Sequence, residues 1–368
     1  MKNKKLADQF RFNPWGIKTQ ILNADYPYKN VVGVDLGGTK ALVAHIDKSF
    51  LDSGASRVSG LTAIETRVSF KIDQYNSLIE IIMEYMEKYN IDPEETCLCV
   101  AAAGPVQNNS IKMGNRDWSI HAHVIEKQFH FKKVFLLNDL EAMIYAIENI
   151  DDDHIEVLNR GKKNQQGNIA VIAAGTGLGE SIGIYTSQKK GWLAVSTEGG
   201  RCDFAPSGDL EIELLKFLAK KNNHVSWEDI LSGKGLCHLY DFLIEQGFKP
   251  NSETVSLMET SSQAEVITAR GLANKDTVCR KALELFVSIY ACESGNLALK
   301  CLPYGGIYIA GGIAPRILPL MKEKLFVQRF IGKGKLKSIL ETIPVYLVTN
   351  ADYGVLGAIN YVLINLPV

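Results

Sequence analysis

The chain has 368 residues, more than one hydrophobic core usually serves, so we expect two domains. Its formal net charge of -1 gives no electrostatic footprint for nucleic acid or an anionic membrane. No apolar run reaches the roughly eighteen residues that a membrane span requires, and the polar residues 1–11 lack the apolar core of a secretion signal. Composition therefore favours a small-molecule partner, no nucleic acid, no membrane and a cytoplasmic location.

The cysteines point to the same compartment. There are seven, an odd number, and none forms a Cys-x-x-Cys pair, so we expect reduced thiols in the core. His121 and His123 are close enough in sequence to share a metal, but no cysteine or carboxylate follows at a ligand-like spacing. We therefore interpret them as a pair of loop histidines.

The first half of the chain alternates between predicted strands and helices, which is typical of an α/β protein. An apolar run from Val31 leads into a glycine-bearing turn, and a return strand is expected at 41–46. Apolar spacing then predicts strands at 97–103 and 133–137 and helices at 75–89 and 140–149. Because a charged, polar break follows, we place the domain boundary near residue 149.

The second half begins with the same pattern of strand, glycine-bearing turn and return strand. An apolar run from Ile169 enters a Gly-Thr turn, and a return strand is expected at 181–185, so the pattern indicates a structural duplication at low sequence similarity. The remaining predicted elements are helices at 210–221, 227–231, 236–246 and 276–299, a buried strand from 307 opening into a glycine turn with a helix beyond it, a strand at 345–348 and a closing helix at 353–363.

Both turns have the composition of a phosphate-binding loop. Glycines let backbone N–H groups approach an anion without a Cβ in the way, and a threonine hydroxyl adds a donor. A plain hairpin is the alternative for the first turn, but it needs at most two permissive residues. The second turn differs from a dinucleotide-binding fingerprint because a strand, not a helix, follows it. Asp35 ends an apolar strand, where a water bridge to Mg²⁺ is a suitable partner.

Asn138 and Asp139 follow a predicted strand and begin a predicted helix. One interpretation is a helix cap, because both residue types cap helices well. The other is a general base, a carboxylate at a strand end that takes a proton from a hydroxyl. Both interpretations remain open at this point.

Two more acidic residues have candidate roles. Glu198 precedes two glycines and Arg201, and the turn itself has no need of its charge, whereas a polyol substrate needs fixed acceptors. Glu228 is predicted to open the helix at 227–231, where acidic residues favour the positive helix end in any case.

Seven motifs together resemble those of bacterial glucokinases, in the same order. They are DLGGTK at 35–40, LND at 137–139, AGTGLG at 174–179, EGG at 198–200, DFAP at 203–206, LSG at 231–233 with GL at 235–236, and AGGIAPR at 310–316. The resemblance runs from about Val31 to the end. It implies an α/β, two-lobed actin-like (ribonuclease H-like) ATPase fold with duplicated mixed-sheet domains and a central cleft.

The resemblance also implies an activity, domain limits and site residues. The activity is ATP-dependent phosphorylation of the glucose 6-hydroxyl with Mg²⁺. Zinc is not expected, because the cysteine cluster of the similar zinc-binding repressor–kinase proteins is missing, and we also expect a homodimer. The domains are an extension at 1–30, a small lobe at 31–148 plus 348–368, and a large lobe at 149–347. The implied base is Asp139, and sugar contacts fall to Asn138, Asp139, Glu198, Glu228, Arg201 and Asn115. The implied nucleotide residues are Asp35 (also toward Mg²⁺ through water), Gly37, Gly38, Thr39, Lys40, Gly175, Thr176, Gly177, Gly179, Gly311 and Gly312.

One position departs from the family pattern. Arg201 stands where bacterial glucokinases carry a histidine, and arginine is permanently charged and accepts no hydrogen bond. If it points at the sugar, it suits an acidic or acceptor-rich substituent; if it points away, glucose remains the expected substrate. The other possibilities are a kinase for another hexose or an amino sugar, a different phosphoryl donor, and a non-catalytic sensor or actin-like ATPase, since fold does not fix function.

Overall fold

The structure is a computed structural model that describes residues 28–53, 57–113, 118–187 and 191–365. Most of the extension at 1–30, and Asn115, lie outside the described residues. The strands are β1 Asn30–Leu36, β2 Lys40–Ile46, β3 Val68–Lys71, β4 Thr96–Ala102, β5 Val106–Gln107, β6 Ser110–Lys112, β7 Ser119–His121, β8 Lys133–Asn138, β9 Ile155–Asn159, β10 Ile169–Ala174, β11 Leu178–Thr186, β12 Gly191–Thr197, β13 Gly306–Ala310 and β14 Val345–Val348.

The helices are α1 Lys48–Asp52, α2 Leu78–Tyr89, α3 Ala122–Phe129, α4 Asp139–Ala146, α5 Asp209–Ala219, α6 Gly233–Glu245, α7 Ser252–Thr260, α8 Gln263–Leu272, α9 Thr277–Cys301, α10 Leu318–Met321, α11 Lys324–Ile331, α12 Lys337–Thr342 and α13 Tyr353–Asn365. Within the described ranges, none of these helices combines the length and the apolar character needed to cross a membrane.

Two mixed sheets repeat one strand order. In the first, β3-β2-β1-β4-β8, the central β1 pairs antiparallel with β2 and parallel with β4. In the second, β12-β11-β10-β13-β14-β9, the central β10 pairs antiparallel with β11 and parallel with β13. The second sheet adds only β9 at one edge, so the duplication expected from the two Gly-Thr turns is confirmed.

The first sheet is covered on both faces, which explains the continuous apolar character of β1. Val32 and Val34 pack toward α2, whereas Val31 belongs to the core on the opposite face with α4 and α13. The C-terminal helix α13 contacts β1, β4 and α4. Gly33 permits this close approach, because a Cβ at that position would lie 2.9 Å from the carbonyl oxygen of Val355.

The second sheet packs against a helical layer centred on α9. This 25-residue helix contacts α6, α8 and α11, and its long buried face lies in the middle of the largest core. A third, three-stranded sheet, β5-β6-β7, follows β4. None of its strands was predicted, because each has only two or three residues and too little sequence to show a period.

Most predicted elements are present, but one is wrong and several were missed. The segment 227–231 is not a helix: it makes a single turn, with the Leu231 N–H donating to the Trp227 carbonyl, and α6 begins only at Gly233 after the Ser232 N-cap. The predicted helix at 75–89 starts at Leu78 because Ser77 caps it. Helices α1, α3, α7, α8 and α12 were not predicted.

Candidate active site

A cavity of about 440 Å³ lies where the two sheets face each other across the chain's two Gly-Thr turns. The predicted residues that line it are Asp35, Gly37, Gly38, Asn138, Asp139, Gly175, Thr176, Gly177, Gly179, Glu198, Arg201, Glu228 and Gly311. Thr39, Lys40 and Gly312 are not among the lining residues. The structure thus brings together side chains that stand nearly 280 positions apart in sequence.

The first turn joins β1 to β2. The Gly37 N–H donates to the Lys40 carbonyl at 2.9 Å, which closes the turn and leaves the 38–39 segment exposed. Lys40 directs its ammonium group to Asp352, 2.8 Å away, just before α13. In this structure the Lys40 charge is therefore held by the loop that precedes the last helix rather than by the cavity.

Asp35 lies at the base of the first turn, as its position at the end of β1 predicts. Burial, and secondarily the Asp139 carboxylate, raise the pKa of Asp35 to about 7, while Lys40 acts in the opposite direction. The backbone of Gly354 packs directly on this carboxylate, since a Cβ there would lie 2.5 Å from Asp35 Oδ2. Two aspartates thus face one cavity from the ends of β1 and β8, the two strands that flank β4.

The second turn joins β10 to β11 and is braced from two sides. The Gly175 N–H donates to the Gly177 carbonyl at 2.8 Å, and the Gly233 N–H at the start of α6 donates to the Gly175 carbonyl at 2.9 Å. Gly311 follows β13 with φ 84°, and a Cβ on it would collide with the Ala174 carbonyl. The turns after β10 and β13 are therefore packed against each other through glycine backbone.

The helix-cap interpretation fits Asn138, and the general-base interpretation fits Asp139. Asn138 is the N-cap of α4: its Oδ1 accepts from the Leu140 N–H at 2.9 Å, and Glu141 completes a capping box. Asp139 Oδ1 also accepts from Leu140, at 3.0 Å, but its carboxylate lines the cavity. Burial raises the pKa of Asp139, and nearby Glu198 raises it further. The cap therefore does not depend on Asp139 alone.

Glu198 and Arg201 lie on a short 3₁₀ turn after β12. The Arg201 N–H donates to the Glu198 carbonyl at 2.9 Å, so the turn presents both side chains toward the cavity. Arg201 is the only basic residue among the described residues that line the cavity, which it shares with Asp35, Asp139, Glu180, Glu198 and Glu228.

Glu228 reaches the cavity by a different route from the one predicted. It does not open a helix. Its backbone N–H donates to the Gly200 carbonyl at 2.9 Å, and its Oε2 accepts from the Leu178 N–H at 3.0 Å. Gly177 lies against the same oxygen, since a Cβ there would be 2.5 Å from it. Glu228 therefore fastens the second turn to the 198–201 turn.

A family model of glucokinases matches residues 32–364. The chain belongs to the glucokinase family. Among its relatives in this family, the glucokinase of Nostoc punctiforme is 34% identical over 339 residues, covering 88% of this chain and 96% of that protein. The glucokinase of Synechocystis sp. is 33% identical over 347 residues, covering 89% of this chain and 96% of that protein.

Solved structures of glucokinases share the fold. A glucokinase from an Antarctic psychrotroph has a TM-score of 0.75 at 29% identity, covering 91% of this chain and 98% of that one. A Streptomyces griseus glucokinase, crystallised with glucose and AMPPNP, has a TM-score of 0.60 at 17% identity, covering 90% and 98%. Together they identify the architecture as the actin-like ATPase fold of sugar kinases, confirming the predicted fold class. Family membership does not favour the alternative of a non-catalytic sensor.

Sequence reasoning missed several lining residues of this glucokinase-family cavity, notably Gly104, Glu180, Asn350 and Gly354. Gly104 had a detectable signal, because it follows β4, a strand that runs parallel to β1 and β8 and ends at the same edge. Glu180 also had one, as a lone carboxylate in the apolar strand β11. Asn350, in the loop after β14, and Gly354, in the first turn of α13, had none, because only the fold brings the C-terminal segment to the cavity.

Proposed function

We propose that this chain catalyses ATP-dependent phosphorylation of the 6-hydroxyl of glucose, giving glucose 6-phosphate and ADP. The observation that carries the proposal is the position of Asp139, whose carboxylate lies in the cavity between two glycine turns while Asn138 caps the helix. Membership of the glucokinase family supports the same reaction.

Asp139 is the proposed general base. Its carboxylate accepts the hydroxyl proton as the oxygen attacks the γ-phosphorus of ATP in line. Burial raises the pKa of Asp139, so the carboxylate is a better proton acceptor than an exposed aspartate. Both of its immediate chain neighbours are fixed by α4 capping, so the carboxylate is held by the rigid start of a helix rather than by a loop.

The two turns are the proposed nucleotide site. The first turn contributes Gly37, Gly38, Thr39 and Lys40, and the second contributes Gly175, Thr176, Gly177 and Gly179. The wall against the adenosine is formed by Gly311 and Gly312. Glycine backbone at these turns leaves N–H groups open to phosphate oxygens. Lys40 reaches the phosphates only by leaving Asp352.

The residues present fit a magnesium ion near Asp35. Its carboxylate is desolvated, lies beside the Asp139 carboxylate and faces a cavity wall whose only described basic residue is Arg201. We propose that Asp35 holds Mg²⁺ through a water molecule. When bound, the ion neutralises negative charge on the phosphates.

The sugar site is proposed on the opposite side of Asp139. Asn138, Glu198, Glu228 and Arg201 supply its polar groups, and Asn115 joins them on the strength of the motif alone. The Arg201 charge favours glucose or a sugar with an acceptor-rich substituent over a cationic one.

Coupled release of ADP tests the proposal directly. We expect turnover that requires a hexose and is highest for glucose when glucose, mannose, fructose and amino sugars are compared. Hydrolysis of ATP without any sugar would instead identify an ATPase, and sugar binding without turnover would identify a sensor. Replacement of ATP by polyphosphate, with glucose 6-phosphate measured as the product because polyphosphate releases no ADP, tests the donor.

The remaining features are also proposals. The lobes comprise 31–148 with 348–368, and 149–347, after an extension at 1–30; the contacts of α13 with β1 and β4 support this division. All seven cysteines are free thiols, which supports the reducing cytoplasm. We also propose a homodimer and no bound zinc, tested by sedimentation equilibrium and by elemental analysis of the full chain.

A further inference from the structure

Two buried glutamates meet beneath the 198–201 turn. Glu180 on β11 is 3% exposed and Glu293 on α9 is fully buried, and their carboxyl groups lie at hydrogen-bonding distance. Two ionised carboxylates cannot share such a position, because each would lose its hydration and repel the other. One shared proton removes this repulsion.

The surrounding groups assign that proton to Glu180. Glu293 is satisfied as a carboxylate: Lys300 donates to its Oε1 at 3.2 Å and Asn296 to its Oε2 at 2.7 Å. Glu180 Oε1, in contrast, is buried and has no hydrogen-bond partner among the described residues. Burial first, and then the Glu293 charge, raise the pKa of Glu180 to about 8, with Lys300 opposing them.

Glu180 is directly linked to the candidate sugar site. It lines the cavity, and Gly199 rests on its carboxyl group so closely that a Cβ would collide with Oε2. Thr197 adds a second link, because its hydroxyl donates to the Glu180 carbonyl at 3.1 Å and accepts from the Gly199 N–H at 3.2 Å. The turn that carries Glu198 and Arg201 is therefore seated on Glu180.

We propose that Glu180 is a positioning residue for the sugar site, in which a proton shared with Glu293 keeps the 198–201 turn in its binding position. Ionisation of Glu180 places a second negative charge beside that of Glu293 and beneath Gly199. We expect the 198–201 turn to move so that the two carboxylates can separate or gain water. The inference rests on the proposed function, because it assigns Glu198 and Arg201 to sugar binding.

Other ionisable groups lie near Glu180, and each has a different effect. On α9, burial raises the pKa of Tyr290 far above neutrality and that of Cys301 to about 12, so both remain uncharged. Lys300 stays protonated, because Glu293 and Glu180 raise its pKa despite burial. The turn itself carries Glu198, Arg201 and Cys202, and α4 carries Asp139 across the cavity. Among these groups, Glu180 is the one whose charge changes next to Gly199.

The test is the pH dependence of glucose affinity, measured by calorimetry without nucleotide and by KM in the coupled assay. For the wild type we expect the Kd for glucose to rise about tenfold from pH 7 to pH 9, as a single ionisation near pH 8 requires. In Glu180→Gln, which keeps the shape and removes the titration, Kd stays near its value at pH 7 throughout. We expect kcat to change much less than KM.

Two further variants should shift the pH midpoint of the change in glucose affinity, in opposite directions. Glu293→Gln removes the neighbouring charge and lowers the midpoint, whereas Lys300→Met removes the opposing cation and raises it. A matched control is Glu211→Gln, another buried glutamate, which pairs with Arg329 away from the cavity. It loses stability but keeps the wild-type pH dependence. If Glu180→Gln does not fold, the opposite shifts of the other two variants decide the matter.

The outcomes separate this inference from the proposed function. A wild-type protein that binds glucose with the same affinity from pH 7 to pH 9, or a Glu180→Gln variant that keeps the wild-type dependence, overturns the role of Glu180 alone. A protein that neither binds nor phosphorylates glucose at pH 7 overturns the proposed function, and this inference with it.

Discussion

Arg201 donates to Glu228 across 2.7 Å, and the other Glu228 oxygen accepts from the Leu178 N–H. Both carboxylate oxygens of Glu228, a residue proposed to bind the sugar, therefore already have protein partners. The Arg201 side chain remains 63% exposed, so its other donors can reach a ligand. The Arg201–Glu228 pair therefore offers a sugar a cation and hydrogen-bond donors rather than a second free carboxylate beside Glu198.

This pairing predicts selection against cationic sugars. Arg201→Gln should raise the ratio of kcat/KM for glucosamine over that for glucose by about tenfold, since a like charge at several ångströms in a half-exposed site costs roughly 1–2 kcal/mol. Arg316→Gln serves as the control and should leave the ratio unchanged, because Arg316 is exposed and lies 3.9 Å from the exposed Glu265. An equal ratio in wild type and Arg201→Gln would contradict the prediction.

Replacement of the proposed base should separate turnover from stability. Asp139→Asn should lower kcat by about 10²–10⁴, while the Asn138 cap on the Leu140 N–H keeps α4 in place. Asn138→Ala should cost about 1 kcal/mol in the free energy of unfolding because the cap is lost. Denaturant melts and coupled turnover measure both quantities. More than about a tenth of wild-type kcat in a folded Asp139→Asn protein argues against the general-base role.

The pKa of Asp35, raised to about 7, predicts a pH effect on the nucleotide side. A raised pKa means that the carboxyl is neutral below about pH 7 and can then no longer attract Mg²⁺. The KM for ATP at saturating glucose should therefore rise as the pH falls through 7, by up to about tenfold per unit. Asp35→Asn should have a high KM for ATP, and this KM should no longer change with pH through titration of a carboxyl group at position 35. A wild-type KM that stays constant from pH 5.5 to pH 8 is the contrary result.

Two adjacent glycines should respond differently to alanine. Gly311 has φ 84° and its Cβ would collide with the Ala174 carbonyl, whereas a Cβ on Gly312 would meet open space. Gly311→Ala should therefore displace the turn after β13 and lower kcat/KM for ATP at least tenfold more than Gly312→Ala does, by strain of roughly 1–3 kcal/mol. Thermal melts show whether the strain also unfolds the protein. Similar kinetics in the two variants would count against a packed role for Gly311.

Local sequence was enough to predict the elements that build the cavity. Apolar runs followed by Gly-Thr turns predicted the β1–β2 and β10–β11 hairpins, and their repetition predicted the duplicated sheets. The strand at 345–348 was predicted with its correct bounds because β-branched and aromatic residues stand between Pro344 and the polar Thr349. These predictions succeeded because strand formation and glycine turns depend mainly on neighbouring residues.

The segment 227–231 shows where local reasoning failed. Its composition suits a helix, but Trp227 donates its N–H to the Cys202 carbonyl and Glu228 donates to the Gly200 carbonyl. These long-range bonds hold the segment against the 198–201 turn and leave only one helical turn. The short strands β5–β7 and helices α7 and α8 were missed for a related reason, since distant packing partners define them.

By itself, the sequence determined the strands, the glycine turns and the acidic residues at their ends, because each depends on side chains a few positions apart. Only the tertiary structure decided that Glu228 is already paired with Arg201, that Lys40 is held by Asp352, and that Glu180 shares a buried site with Glu293. These are contacts between charges distant in sequence. Their strength depends on burial and separation in space, which the order of residues does not specify.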